Sequence, residues 1–172
     1  MSISRRIAFA ALALSLPLTW AHAASPLDAV PENMPYDIPY GPPVSLTEAR
    51  QAIDAAMAEA ASHHWKLNVA VVDSGGNLVS FARMDGAQLA SIAIAEHKAK
   101  AAAGYRRETK VFENAVQEKG LNYVTTLDGV IASRGGIPLV VSGKLVGAIG
   151  CSGGTGSQDE VACTAGVAAL RR

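Results

Sequence analysis

The chain has 172 residues, with 15 basic and 15 acidic side chains, a formal net charge of zero and 49% hydrophobic residues. That length supports one domain with a full core. The balanced charge, with no Lys/Arg run, argues against nucleic acid as a partner, and beyond the first residues no apolar stretch is long enough to span a bilayer.

Residues 1–23 read as a secretory signal peptide. Arg5 and Arg6 form a positive start, Ile7 to Leu18 is apolar, and Ala21-His22-Ala23 is a small-x-small cleavage site. The expected location is therefore periplasmic or secreted. Residues 24–44 hold six of the eight prolines and cannot sustain a helix. They predict an extended arm that lies across its own domain, clasps a neighbouring subunit, or serves as a free spacer.

The domain is expected over 45–172. Ser45 and Glu48 form a capping-box pair, and Ile53, Met57, Ala60 and His64 follow helical spacing, which makes His64 a packing residue at the helix end. Leu67 to Asp73 and Leu78 to Met84 predict a hairpin about Ser74-Gly75-Gly76-Asn77. Gln88 to Gly104 predicts an alanine-rich helix. Thr109 is placed as the cap of a further helix that Gly120 stops. Ile137 to Val141 and Leu145 to Gly150 predict a second hairpin, and a last helix starts near Ser157. With a short extra strand at Val130 to Ala132, this is an α+β domain: an antiparallel sheet of about five strands carrying helices.

Five glycines between Gly147 and Gly156 link the last strand to the last helix. Such a loop allows close backbone approach, and the helix start behind it offers N–H groups to an anion or polar ligand. Gly153, Gly154 and Asp159 are candidate binding residues on that ground. A turn that simply needs glycine is the alternative. Export permits a disulfide between Cys151 and Cys163. Against it, Cys163 shares a helical stripe with Val167 and Leu170 and reads as a small buried apolar residue.

Several stretches resemble one family. They are Val71-Val-Asp-Ser-Gly-Gly-Asn-Leu-Val-Ser-Phe-Ala-Arg-Met-Asp-Gly-Ala87, Ala95-Glu-His-Lys-Ala-Lys-Ala-Ala-Ala103, Gly135-Gly-Ile-Pro138 and Gly147-Ala-Ile-Gly-Cys-Ser-Gly-Gly154, followed by Gln158-Asp159. In this order they are similar to the haem-binding family that includes GlcG-like proteins, HbpS-like proteins and the C-terminal domain of PduO-type proteins. The resemblance implies a profilin-like sandwich, assembly as a homo-oligomer and haem as cofactor, with haem degradation in some members.

Haem requires an axial ligand, an apolar slot and donors for its propionates. His63 and His64 are helix neighbours, whose side chains diverge too far to chelate one metal. His97, inside the family-like stretch, is the preferred histidine ligand. Tyr105 and Thr109 stay in play because the resemblance brings oxygen ligands with it; a packing tyrosine and a capping threonine are their alternatives. Arg83, Asp85 and Lys98 stand out as polar residues in apolar motifs. Arg83 and Lys98 suit a ligand's carboxylates, or a structural pairing with Asp85. No nucleophile elbow, His-Glu-x-x-His or Cys-x-x-Cys pattern is present. The functional expectation is a secreted haem-binding protein that sequesters, senses or degrades haem. One alternative is an enzyme acting on a small organic acid or aromatic catabolite held by the glycine loop and basic residues. Another is an oligomeric interaction module without a small ligand.

Overall fold

Ser45 starts the domain as its motif requires. Its Oγ accepts from the Glu48 N–H at 3.2 Å, and the Glu48 carboxylate accepts from the Ser45 N–H at 3.0 Å. Free N–H groups at the head of α1 (Leu46–Ser62) are thereby satisfied. The structure, a computed structural model, describes residues 30–170. The expected signal peptide and residues 24–29 of the arm lie outside the described residues. The chain divides into two units, residues 1–34 and 35–172. In the first, residues 30–34 form no helix or strand.

In the second unit α1 is followed by β1 (Asn68–Asp73), β2 (Leu78–Arg83), α2 (Ala90–Tyr105), α3 (Lys110–Gln117), a 3-10 turn (Asn122–Thr126), β3 (Gly136–Val141), β4 (Lys144–Ser152) and α4 (Gly156–Ala168). Asp73 Oδ1 closes the first hairpin by accepting from the Gly75 and Asn77 N–H groups at 2.8 and 2.9 Å. Among the described residues the sheet has four strands in the order β2-β1-β4-β3, with every pair antiparallel. The expected fifth strand is absent. Val130 to Ala132 is irregular chain behind a turn, in which the Val130 N–H bonds to the Leu127 carbonyl and Gly129 has φ 70°.

Alternation along the strands sorts two cores. Val69, Val71, Ile149 and Cys151 pack with α1 and α4, while Ala70, Val72 and Ala148 face the alanines of α2. The sheet is thus covered on both sides, which is why β1 and β4 read as continuous apolar runs. The α2 contact is close because both partners are small. A Cβ on Gly150 would lie 2.6 Å from the Ala99 nitrogen and would collide with the Ala95 carbonyl.

Three expectations change here. Cys163 is buried, but it is disulfide-bonded to Cys151 with a Cα–Cα separation of 5.7 Å, tying β4 to α4. A half-cystine and a small apolar residue leave the same burial pattern. His64 lies past the end of α1 with φ 59° and is exposed, so it is not a packing residue. The near half of the arm joins its own domain. Leu145 donates to the Pro39 carbonyl at 2.9 Å, Gly41 to Leu145 at 2.7 Å and Val44 to Val146 at 2.8 Å. On β4, β1 pairs only with Gly147 to Ser152, so the arm takes the stretch of β4 that β1 leaves open.

Candidate functional site

Lys98 comes from the middle of α2 and Asp159 from the first turn of α4. Their side chains meet at 2.8 Å, with relative exposures of 1% and 4%. The Lys98 ammonium also donates to the Cys151 carbonyl at 3.2 Å, and Asp159 Oδ1 accepts from the Gly154 N–H at 3.0 Å. Gly135, at φ 109°, makes room for the pair; a Cβ there would lie 2.8 Å from Asp159 Cβ and 3.2 Å from Lys98 Nζ. Burial pushes the Asp159 carboxyl above its ordinary range, opposed by Lys98 and by the Gly154 and Gly153 N–H groups. The glycine loop is therefore folded around an internal carboxylate. Thr155 completes it with a capping box: its Oγ1 accepts from Gln158 N–H at 3.3 Å and its N–H donates to Gln158 Oε1 at 2.8 Å. The Thr-x-x-Gln spacing carried that signal in the sequence, which sequence reading passed over in starting the helix near Ser157.

Glu160, one residue on, faces a different group of charges. It pairs with Lys110 at 2.8 Å and with Arg134 at 3.3 Å, and Arg134 also holds Glu113 at 2.7 Å. The hydrogen bond and charge of Glu113 hold the Arg134 guanidinium above its ordinary value.

His97 and Tyr105 occupy the half-buried outer side of α2. His97 Nε2 contacts the Gly129 carbonyl at 3.1 Å, and the Tyr105 hydroxyl donates to the Asp128 carbonyl at 2.6 Å. Two side chains on one helix thus pin two successive peptides of the 127–129 turn. Beside Tyr105 is a cleft of about 280 Å³, lined by Tyr105, Arg107, Phe112, Leu121, Val124 and Leu127, with the exposed Lys119; His97 is not among its lining residues. Thr109 is placed differently. It is fully buried, its Oγ1 accepts from the Gly136 N–H at 2.9 Å, and its own N–H donates to the Gly136 carbonyl at 2.9 Å. It stands at the head of α3 but its side chain caps no helix N–H there; it fastens α3 to β3.

Arg83 and Asp85 are exposed at the far end of β2, the strand at the opposite edge of the sheet from β3. Asp85 lines a second cleft, about 430 Å³, with Met57, His64, Trp65, Lys66 and Met84. Neither residue joins the Lys98–Asp159 cluster. A third cleft, about 350 Å³, lies between the arm and α3 and is lined by Tyr36, Arg106, Arg107, Val111, Pro138 and Val140 among others. Sequence reading missed it. The Arg106-Arg107 pair behind the alanine-rich helix was the available signal.

With this geometry in view, residues 44–168 match the family model described as "Haem degrading protein HbpS-like". Protein GlcG of Escherichia coli (strain K12) is 38% identical over 109 residues, covering 63% of this chain and 81% of GlcG. A double mutant of Streptomyces reticuli HbpS superposes with a TM-score of 0.70 at 29% identity, over 87% of this chain and 99% of HbpS. PduOC, solved as a heme complex, gives a TM-score of 0.67 at 29% identity, over 74% of this chain and 95% of PduOC. A model matched from the first core residue of the arm to the last residue of α4 places the chain in a family: it belongs to the HbpS-like family.

Proposed function

We propose that the chain is an exported haem-binding protein that sequesters, senses or degrades haem, built as a profilin-like sandwich and working as a homo-oligomer. Membership of the HbpS-like family carries this reading, and the likeness to PduOC in complex with heme supports it.

The donor set fits a haem iron at α2. A carbonyl only accepts, so the bond to Gly129 requires the proton on His97 Nε2 and makes Nδ1 the nitrogen left to ligate iron. Tyr105 ranks second, because ligation as a phenolate gives up the proton it donates to Asp128. Thr109 ranks last, because its hydroxyl is buried and engaged by Gly136. The cleft beside Tyr105 offers apolar side chains to a macrocycle edge, with Lys119 placed for a propionate. At about 280 Å³ it is below the roughly 300–1,000 Å³ of most ligand pockets, so a second subunit would cover the remainder. Lys98, Asp159, Gly153 and Gly154 hold the wall behind α2, whereas Arg83 and Asp85 lie at the other sheet edge and line no part of this cleft. Bound haem would supply iron for oxygen or redox chemistry, tuned by its axial ligand.

The test is a hemin titration of the mature protein followed by Soret absorbance. Saturation near one hemin per chain is expected. A shift that rises without saturating, as with nonspecific hemin adsorption, would overturn the reading.

A further inference from the structure

Arg107 differs from the other guanidiniums anchored near it. Arg106 pairs with Asp37 at 3.6 Å and donates to the Ile38 carbonyl at 3.1 Å. Arg134 holds two glutamates. Arg107 is half-buried, yet among the described residues no carboxylate lies within ion-pair distance of it. Its Nε donates to the Tyr105 carbonyl at 3.0 Å, and no hydrogen bond engages its two terminal nitrogens among the described residues. The Tyr36 ring of the arm lies 3.8 Å from its central carbon, and the rings of Phe112 and Tyr105 stand 5.6 and 5.9 Å away. The cation is therefore oriented and partly desolvated without being neutralised.

It lines the cleft of about 350 Å³ between arm and α3, whose other walls are Val111, Ile137, Pro138, Val140 and Val167. We propose that this cleft binds a small monocarboxylate with an apolar body, its carboxylate on the Arg107 fork and its body on Pro138 and Val140. A planar guanidinium with two unused donors matches a carboxylate, and the apolar walls match a hydrocarbon or aryl group. The volume lies at the small end of ligand pockets. The remaining charges on the cleft are Arg106, already paired to Asp37, and Glu108, exposed at the rim, so one negative charge is matched and a second is repelled. Tyr36 and Ile38 make the arm part of the site. Arg107 and Val111 also line the cleft beside Tyr105, so the two clefts share a wall; the proposal goes beyond haem binding and does not depend on it.

Benzoate and hexanoate are the probes, with hexan-1-ol as the neutral control, measured by calorimetry and by methyl NMR on the mature protein. Saturable binding of both acids is expected, with shifts at the Val140 and Val111 methyls and at least tenfold weaker binding of hexan-1-ol. Arg107→Gln should weaken the acids at least tenfold. Should Arg107→Gln fail to fold, Val140→Asp tests the same site, since Val140 is 37% exposed and tolerates a polar side chain. It should produce a loss of the same size by placing a second carboxylate in the cleft. Absence of saturation by about 10 mM, or equal binding of hexan-1-ol, overturns the proposal. A protein that binds benzoate saturably but not hemin supports this proposal and overturns only the haem reading.

Discussion

The middle and the C-terminal end of α2 treat polar side chains in opposite ways. Lys98 at mid-helix is enclosed by Asp159, the Cys151 carbonyl and the backbone around Gly135, leaving no exposed polar atom for a ligand. At the C-terminal end Tyr105 and Arg107 are half-buried, and Arg107 has unused donors above a cleft. His97 belongs with this open group, although it adjoins Lys98 in sequence, because it points outward to Gly129. One residue along a helix is about 100° around it, and here that angle separates a buried structural lysine from a half-buried histidine that faces outward. A conspicuous polar residue in an apolar motif is thus informative about packing first. Spare hydrogen-bonding capacity is what marks a ligand site.

The comparison is broken most severely on the enclosed side. Lys98→Met leaves the Asp159 carboxylate buried without its cation, and removing one partner of a buried pair destabilises by about 3–5 kcal/mol. Chemical denaturation should show this loss, together with a pH dependence. The folded value of Asp159 is already raised above its ordinary 3.8, and loss of Lys98 raises it further. The penalty is therefore absent below that ordinary value and grows as pH rises through the folded value. The double variant Lys98→Met/Asp159→Leu should recover most of the loss.

Second in size is the Cys151–Cys163 disulfide. Its sequence separation of 12 gives an entropic stabilisation of about 3 kcal/mol, so Cys151→Ala/Cys163→Ala, or the reduced protein, should melt several degrees lower. Equal melting of the oxidised and reduced forms would remove the disulfide from the account.

The smallest effect sharpens the comparison at an exposed turn. Asp73 is held below its ordinary 3.8, chiefly by the Asn77 backbone N–H. Its contribution, about 1 kcal/mol for such hydrogen bonds, is present above that ordinary value and is lost as pH falls through the folded value. Asp73→Ala should therefore differ from the native chain at neutral pH and converge with it in acid.

Most of the element order was legible because it rests on local signals. The Ser45–Glu48 box, the Gly75-Gly76 turn and the apolar runs of β1 and β4 are each settled within a few residues. What escaped depends on distance. The partner of Lys98 is 61 residues away, and the hydroxyl partner of Thr109 is 27 residues away. The stretch Val130 to Ala132 has strand-like residues, but it follows the turn that His97 and Tyr105 pin and pairs with no strand among the described residues. Arg107 was visible as a residue. Its lack of a counter-charge among the described residues, the feature that matters, appears only in three dimensions.

The most direct test of this account crosses two substitutions with two readouts, hemin-dependent Soret absorbance and thermal stability. His97→Ala should abolish the saturable Soret shift and leave the melting temperature almost unchanged. Thr109→Val should keep the Soret shift and lower stability by about 1–3 kcal/mol, because the buried Gly136 N–H loses its acceptor. The opposite pattern, with haem binding lost through Thr109 and kept without His97, would contradict the division between an enclosed structural side and an open ligand side.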